Sequence, residues 1–168
     1  RAALDDGAVP VFYAYSLGKA QEALAILGRE ALPVTVHGAI AALADVYCRA
    51  GVELPAFERY DARTFDGRHV LVWPPAGRDV PAAVRGRSVR SASLTGWALD
   101  RSANLRFGTD VGFPLSDHAD YPSLLRYLAL AQPRRVLLNH GWRDFAHRLR
   151  RLGFDAEYLE ENAQLRLF

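Results

Sequence analysis

The feature that most constrains this chain is a β-rich run followed by a helical stripe, twice in succession. Val9-Pro10-Val11-Phe12-Tyr13-Ala14-Tyr15 has the content of a buried strand and ends at the turn Ser16-Leu17-Gly18. Beyond it Ala20, Ala23, Leu24 and Leu27 recur at the spacing of one helical face, until Pro33 resets the chain. The plan then repeats. Val34 to His37 is a short strand, Gly38 the break, and Ile40, Leu43, Ala44 and Tyr47 the stripe of a second helix that Gly51 closes. Successive units of this kind predict an α/β fold, a parallel sheet with helices on its faces.

The rest of the chain is less regular. Val52 to Gly67 shows no period; His69 to Trp73 reads as a strand that Pro74-Pro75 must end; Ser88 to Leu94 reads as another, ending at Thr95-Gly96-Trp97. The polar segment Asp100 to Asp110 reads as a crossover, which predicts one lobe over residues 1–99 and a second over 100–168. In the second lobe a strand near Val111 to Leu115 leads to a helix bearing Leu124, Leu125 and Leu128. A strand at Arg135 to Asn139, a helix bearing Phe145, Ala146 and Leu149, and a closing strand pair around Tyr158 and Leu165 follow.

Composition narrows the function classes. With 168 residues, half of them hydrophobic, the chain can bury a core, and no apolar run approaches the ~18 residues of a membrane span, so a soluble protein is expected. The single cysteine, Cys48, excludes an internal disulfide and a cysteine-rich zinc site, and makes a reducing cytoplasm the expected setting. The chain has no methionine and opens on Arg1-Ala2-Ala3-Leu4, which leads us to expect a piece of a longer protein. Net charge is only +2, too little to demand a nucleic-acid partner. Lys19 is the only lysine, and eleven of the 20 arginines lie in two stretches: Arg85, Arg87, Arg90, Arg101 and Arg106, then Arg134, Arg135, Arg143, Arg148, Arg150 and Arg151. Each stretch is either a solvated face or a phosphate track.

Two histidines occupy matched places. Ser116-Asp117-His118-Ala119-Asp120 follows an apolar strand and precedes a helix opened by Tyr121-Pro122, while Val136-Leu137-Leu138-Asn139-His140-Gly141 puts His140 at the end of the next strand. Strand carboxyl ends are where open α/β sheets bind ligands, so both histidines are candidates for one crevice. The plainer alternative makes Asp120 a helix cap and each histidine an ordinary loop residue.

These segments resemble the C-terminal part of the metallo-β-lactamase superfamily, specifically its β-CASP nucleases. Phe113 to Asp120 is similar to the family's motif B and Val136 to Gly141 to its motif C. The resemblance covers nearly the whole chain. Ala14 to Gln21, Val36-His37-Gly38-Ala39, Thr95-Gly96-Trp97 and Leu115 to Asp120 resemble, in order, landmarks of the ligase-associated DNA exonucleases, also described as mRNA 3′-end processing exonucleases. The resemblance implies a β-CASP-type parallel sheet lobe followed by the C-terminal strands and helices of a metallo-β-lactamase fold. It implies zinc-dependent hydrolysis of DNA or RNA, with a single-stranded end as substrate, two zinc ions or manganese as cofactor, and association with a DNA ligase. It further implies that His140 is a metal ligand, that His118 helps protonate the leaving oxygen, and that Ser16, Lys19 and Ser116 face phosphate.

The chain departs from the family in lacking its His-x-His-x-Asp-His motif, its further metal-binding histidine, its bridging aspartate and the acidic residue of motif A. One imidazole cannot hold two zinc ions, so the expectation is either the C-terminal portion of an active nuclease, inactive alone, or a degenerate relative. Two other classes stay open. A non-catalytic nucleic-acid-binding module would keep the lobe and its arginines. A serine hydrolase would use Ser16 in a nucleophile elbow, with Asp117 and His140 later in the order such enzymes use.

Overall fold

Valine, alanine and leucine dominate the segments between turns, and the computed structural model, which describes residues 1–75, 84–99, 107–139, 141–142 and 144–159, gathers them into two compact units, Arg1–His118 and Ala119–Phe168. In the first unit a single-turn helix, α1 (Ala2–Asp5), precedes strand β1 (Val9–Tyr13). Helix α2 (Lys19–Arg29) leads to β2 (Val34–Val36), and helix α3 (Gly38–Arg49) to a two-residue strand, β3 (Glu58–Arg59), in the stretch that shows no period. β4 (Val70–Trp73) and β5 (Val89–Leu94) follow, then a 3-10 turn, Gly96–Leu99, and β6 (Val111–Phe113). The six strands form one parallel sheet in the order β3-β2-β4-β1-β5-β6. The expected α/β fold with a mostly parallel sheet is therefore what forms.

Alternation along β1 and β4 sorts the core into two faces. Val70 and Val72 join Val34, Val36 and the stripes of α2 and α3 on one face, where Leu24 and Ile40 are wholly buried, each contributing about 2 kcal/mol. Leu71, Trp73, Val9 and Val11 point the other way, against Val84, Tyr60 and Phe65. Both helices lie on the same face because both crossovers step in the same direction, from β1 through β2 to β3.

The second unit contains helix α4 (Tyr121–Ala131), β7 (Val136–Leu138), α5 (Asp144–Arg151) and β8 (Ala156–Tyr158). β7 and β8 pair in parallel, and Leu128, Val136, Leu149 and Ala156 form their core. The closing strand expected near Leu165 lies outside the described residues. The compact units divide after His118. β6 pairs with β5, Ala92 opposite Val111 and Leu94 opposite Phe113, so its backbone hydrogen bonds tie the stretch up to His118 into the first sheet. Among the described residues no helix is long and apolar enough to cross a membrane.

Candidate nucleic-acid site

The strand order creates one crevice by topology. After β1 the chain leaves toward β2, and after β5 it leaves toward β6, although β1 and β5 are neighbours paired from Val9–Val89 to Tyr13–Ser93. Their loops diverge, and the space beyond their carboxyl ends is where such sheets bind ligands. A cavity of about 1070 Å³ opens there, and its lining includes Tyr13, Tyr15, Lys19, Trp97, Ser116 and His118. The sequence landmarks Tyr15 to Lys19, Thr95 to Trp97 and Ser116 to His118 thus meet at one place, all within the first unit.

Asp117 is the hub of the site. Its Oδ1 lies 3.5 Å from Lys19 Nζ and 3.4 Å from His118 Nδ1. The Lys19 side chain is only 2% exposed, its ammonium also 5.0 Å from the centre of the Tyr15 ring, whereas His118 is 82% exposed. Ser116 Oγ accepts the backbone N–H of His118 at 3.3 Å and lies 3.4 Å from Nδ1, so the Nδ1 side of the imidazole is held and Nε2 is left to face solvent. The approach of the two loops depends on Gly18. Its φ of +79° favours glycine, and a Cβ there would stand 3.0 Å from Asp117 Oδ2.

The turn into α2 has fewer free amides than a helix start usually offers. The N–H of Lys19 donates to the Leu17 carbonyl and that of Ala20 to the Tyr15 carbonyl. Gln21 is buried and donates Nε2 to the Ser16 carbonyl at 3.0 Å, and among the described residues its Oε1 has no hydrogen-bond partner. Among the described residues no histidine hydrogen-bonds the Ser16 hydroxyl, as a nucleophile elbow needs, and Asp117 engages Lys19 and His118 instead. His140 lies outside the described residues.

His37 and His69 hold local structure, and exposed His147 lies 3.2 Å from Arg150 Nη2 through its Nδ1. His37 caps α3 by accepting the Ala39 N–H and meets Trp73 edge-on, and His69 hydrogen-bonds Thr35 Oγ1 at 2.9 Å. Several arginines of the two stretches are tied down as well: Arg90 by Asp6, Arg87 by the Asp66 carbonyl, Arg135 by Glu157 and Arg150 by the Ala156 carbonyl. Asp120 caps α4, its Oδ1 accepting the Ser123 N–H at 2.8 Å; the Ser123 hydrogen bonds hold its carboxyl below the usual range. Sequence reading missed Asp117 as the group joining Lys19 to His118, and the pairing of Asp110 with Ser91. The one signal pointing to the first was the uniqueness of Lys19.

Residues 112–163 match the family described as the Zn-dependent metallo-hydrolase RNA specificity domain, RMMBL. The match takes in under a third of the chain. Over 164 residues it is also 43% identical to a protein of Opitutus terrae described as a probable DNA ligase, an alignment that takes in 97% of this chain and 16% of that protein. The chain therefore spans about a sixth of the length of this relative. Both findings are consistent with the C-terminal portion of a metallo-β-lactamase protein of the β-CASP type, as the resemblance of motifs B and C implies.

Among the described residues no group of three or more His, Cys, Asp or Glu side chains could hold a metal ion. These residues do not by themselves fit a zinc centre, and His118 is turned toward Asp117 and Ser116 rather than toward other ligand types.

Proposed function

We propose that this chain is the nucleic-acid-handling, C-terminal portion of a zinc-dependent β-CASP exonuclease that hydrolyses phosphodiester bonds at single-stranded ends of DNA or RNA, in DNA repair or RNA processing. The observation that carries the reading is the convergence of Ser116, Asp117 and His118, all three within the segment that matches the specificity-domain family, with buried Lys19 at the crevice between β1 and β5. Lobes over residues 1–99 and 100–168 and a cytoplasmic setting belong to the same reading. So does work alongside a DNA ligase, since the relative is described as a probable DNA ligase.

In this reading Asp117, fixed by Lys19, accepts from Nδ1 of His118 and keeps the proton there, so that protonated His118 can donate from Nε2. When water adds to phosphorus and the P–O bond to the departing strand breaks, that proton passes to the leaving oxygen. Ser116 is placed to hydrogen-bond a phosphate oxygen and the Ser16–Lys19 turn to face the strand. Zinc, with manganese as a substitute, would supply Lewis-acid activation of the attacking water, and His140 would be one of its ligands.

The 168-residue chain should bind single-stranded oligonucleotides in a salt-dependent way, take up no stoichiometric zinc and cleave nothing. In the longer protein, His118→Ala should keep metal and nucleic-acid affinity while turning over about 10²- to 10⁴-fold more slowly, with loss of one limb of the pH profile. His140→Ala should lose metal and activity together. About two zinc ions in the purified chain, or a His118→Ala enzyme with unaltered rate, would overturn these roles. Tight binding without cleavage by the longer protein would favour instead a non-catalytic binding module.

A further inference from the structure

We propose that the outer side of α5 is a phosphate track, on which His147, Arg148 and Arg151 hold the backbone of the bound single strand. This rests on the nucleic-acid reading above and names the surface of the second unit that meets the strand.

Burial fixes which way α5 points. Ala146 and Leu149 are buried, with Phe145 packed beside them, so these three face the core of the unit. With 3.6 residues per turn, the opposite side of the helix is made by Asp144, His147, Arg148 and Arg151, and all four are exposed. Asp144 lies in the first turn, where a carboxylate suits the helix start, and the cations follow toward the end. The arginines of this stretch divide by what they touch. Arg135 is held by Glu157, and Arg150 donates to the Ala156 carbonyl at 2.8 Å, which ties the end of α5 to β8. Arg150 Nη2 also lies 3.2 Å from His147 Nδ1; a guanidinium can only donate, so Nδ1 accepts and the ring N–H sits on Nε2. Arg148 and Arg151 stand three residues apart on the side that carries this imidazole, like charges whose closeness by itself weakens the helix.

Donors in a row along one helix side, unmixed with apolar groups, suit a repeating polyanion. Phosphate contacts need charge and N–H groups and no apolar area, whereas the centre of a protein interface is depleted of charge and enriched in aromatic side chains. A membrane-surface helix must put its apolar side into lipid, and that side of α5 is buried with Leu128 and Val136 in the core of the unit. Arginine, moreover, meets a phosphate with a planar fork of N–H groups. An anion lying across Arg148 and Arg151 relieves their mutual repulsion, so the contact that binds the strand also offsets the cost of the pattern. Such a track holds a strand by its backbone and reads no bases.

The test uses the 168-residue chain and an end-labelled oligothymidine, followed by anisotropy between about 50 mM and about 1 M salt. Each single-strand phosphate contact contributes a slope of about 0.7 in the logarithm of affinity against that of salt concentration. Arg148→Gln and Arg151→Gln should therefore each flatten the slope by about 0.7 and weaken binding about 8-fold at the low-salt end, and the double variant about 60-fold. Oligoadenosine should lose by the same factors, since no base is read. His147→Ala should weaken binding and leave the slope unchanged, because an uncharged N–H releases no counterion; an unaltered affinity would remove it from the track. Glutamine is a good helix former, and unchanged far-UV circular dichroism shows α5 intact. Arg29→Gln with Arg49→Gln takes the same charge from the last turns of α2 and α3 and should leave the slope as it was. If the chain binds but the α5 double variant keeps the original slope, or the control flattens it equally, the track is wrong while the nucleic-acid reading survives. If polyglutamate of equal charge competes as well as oligothymidine, the face takes acidic protein and the proposal falls. If no single strand binds even at low salt, both readings fail together.

Discussion

Removing Asp117 should destabilise the first unit more than removing the lysine it holds. The Lys19 side chain is 2% exposed and that of Asp117 33%, and ammonium and carboxylate stand 3.5 Å apart. At that separation the attraction of two unit charges is about 5 kcal/mol at an effective dielectric near 20 and about 1 kcal/mol in water. Because a third of the Asp117 side chain meets solvent, the expected loss for Asp117→Ala is about 2 to 3 kcal/mol, below the ~3 to 5 of a fully buried pair. The cost is chiefly that of stranding a charge in the core. Lys19→Met keeps the hydrocarbon volume, and the surviving carboxylate can turn to water, so it should cost under about 1 kcal/mol. The double variant should resemble Lys19→Met alone, since no buried charge remains to be stranded. Urea unfolding followed by far-UV circular dichroism, with the slope unchanged between variants, measures all three. Asp117→Ala costing no more than Lys19→Met, or the double variant falling by the sum of the singles, would refute the argument.

Two further perturbations probe the frame around the site. Gly28 lies inside α2, where alanine normally stabilises by about 1 kcal/mol, yet a Cβ there would come within 2.3 Å of the Pro55 ring. Gly28→Ala should therefore lower the melting temperature, by overpacking that costs about 1 to 3 kcal/mol; an unchanged or higher value in calorimetry would mean that the Pro55 loop yields freely. Asp110 carries the pH dependence. The backbone N–H of Ser91 and then its hydroxyl hold the Asp110 carboxyl below the usual range, Arg90 adding a little and desolvation opposing. A depressed folded value means stability that is present above the unfolded value near 3.9 and is lost as pH falls through the folded one. Urea midpoints taken from pH 7 down to pH 3 should thus fall more steeply for the wild type than for Asp110→Asn, and parallel curves would contradict the assignment.

Local chemistry made the first βα units readable. The stripe Ala20, Ala23, Leu24 and Leu27 is buried as its period demands, Gly51 closes α3 with φ +87°, and Pro74 ends β4. Each of those outcomes depends on neighbours within a few residues, so periodicity and turn chemistry suffice. The landmarks around Ser116 and His118 were legible for a related reason, since strand, loop and helix start follow one another in the chain.

Tertiary structure alone decided the rest, because the deciding contacts join residues far apart in sequence. Nothing local places β4 between β2 and β1; that follows from parallel pairing of Val34 with Val70 and Val11 with Leu71, and parallel partners need not be consecutive. β3, two residues long, has no period to detect and exists only because Thr35 and Val36 lie alongside it. The compact units divide after His118 because β6 finds its hydrogen bonds on β5. The site has the same origin. In sequence Lys19 is a first-turn residue that the resemblance has facing phosphate, but the parallel sheet brings the loop after β6 over the start of α2, and there Asp117 closes on the ammonium and gives His118 its neighbour.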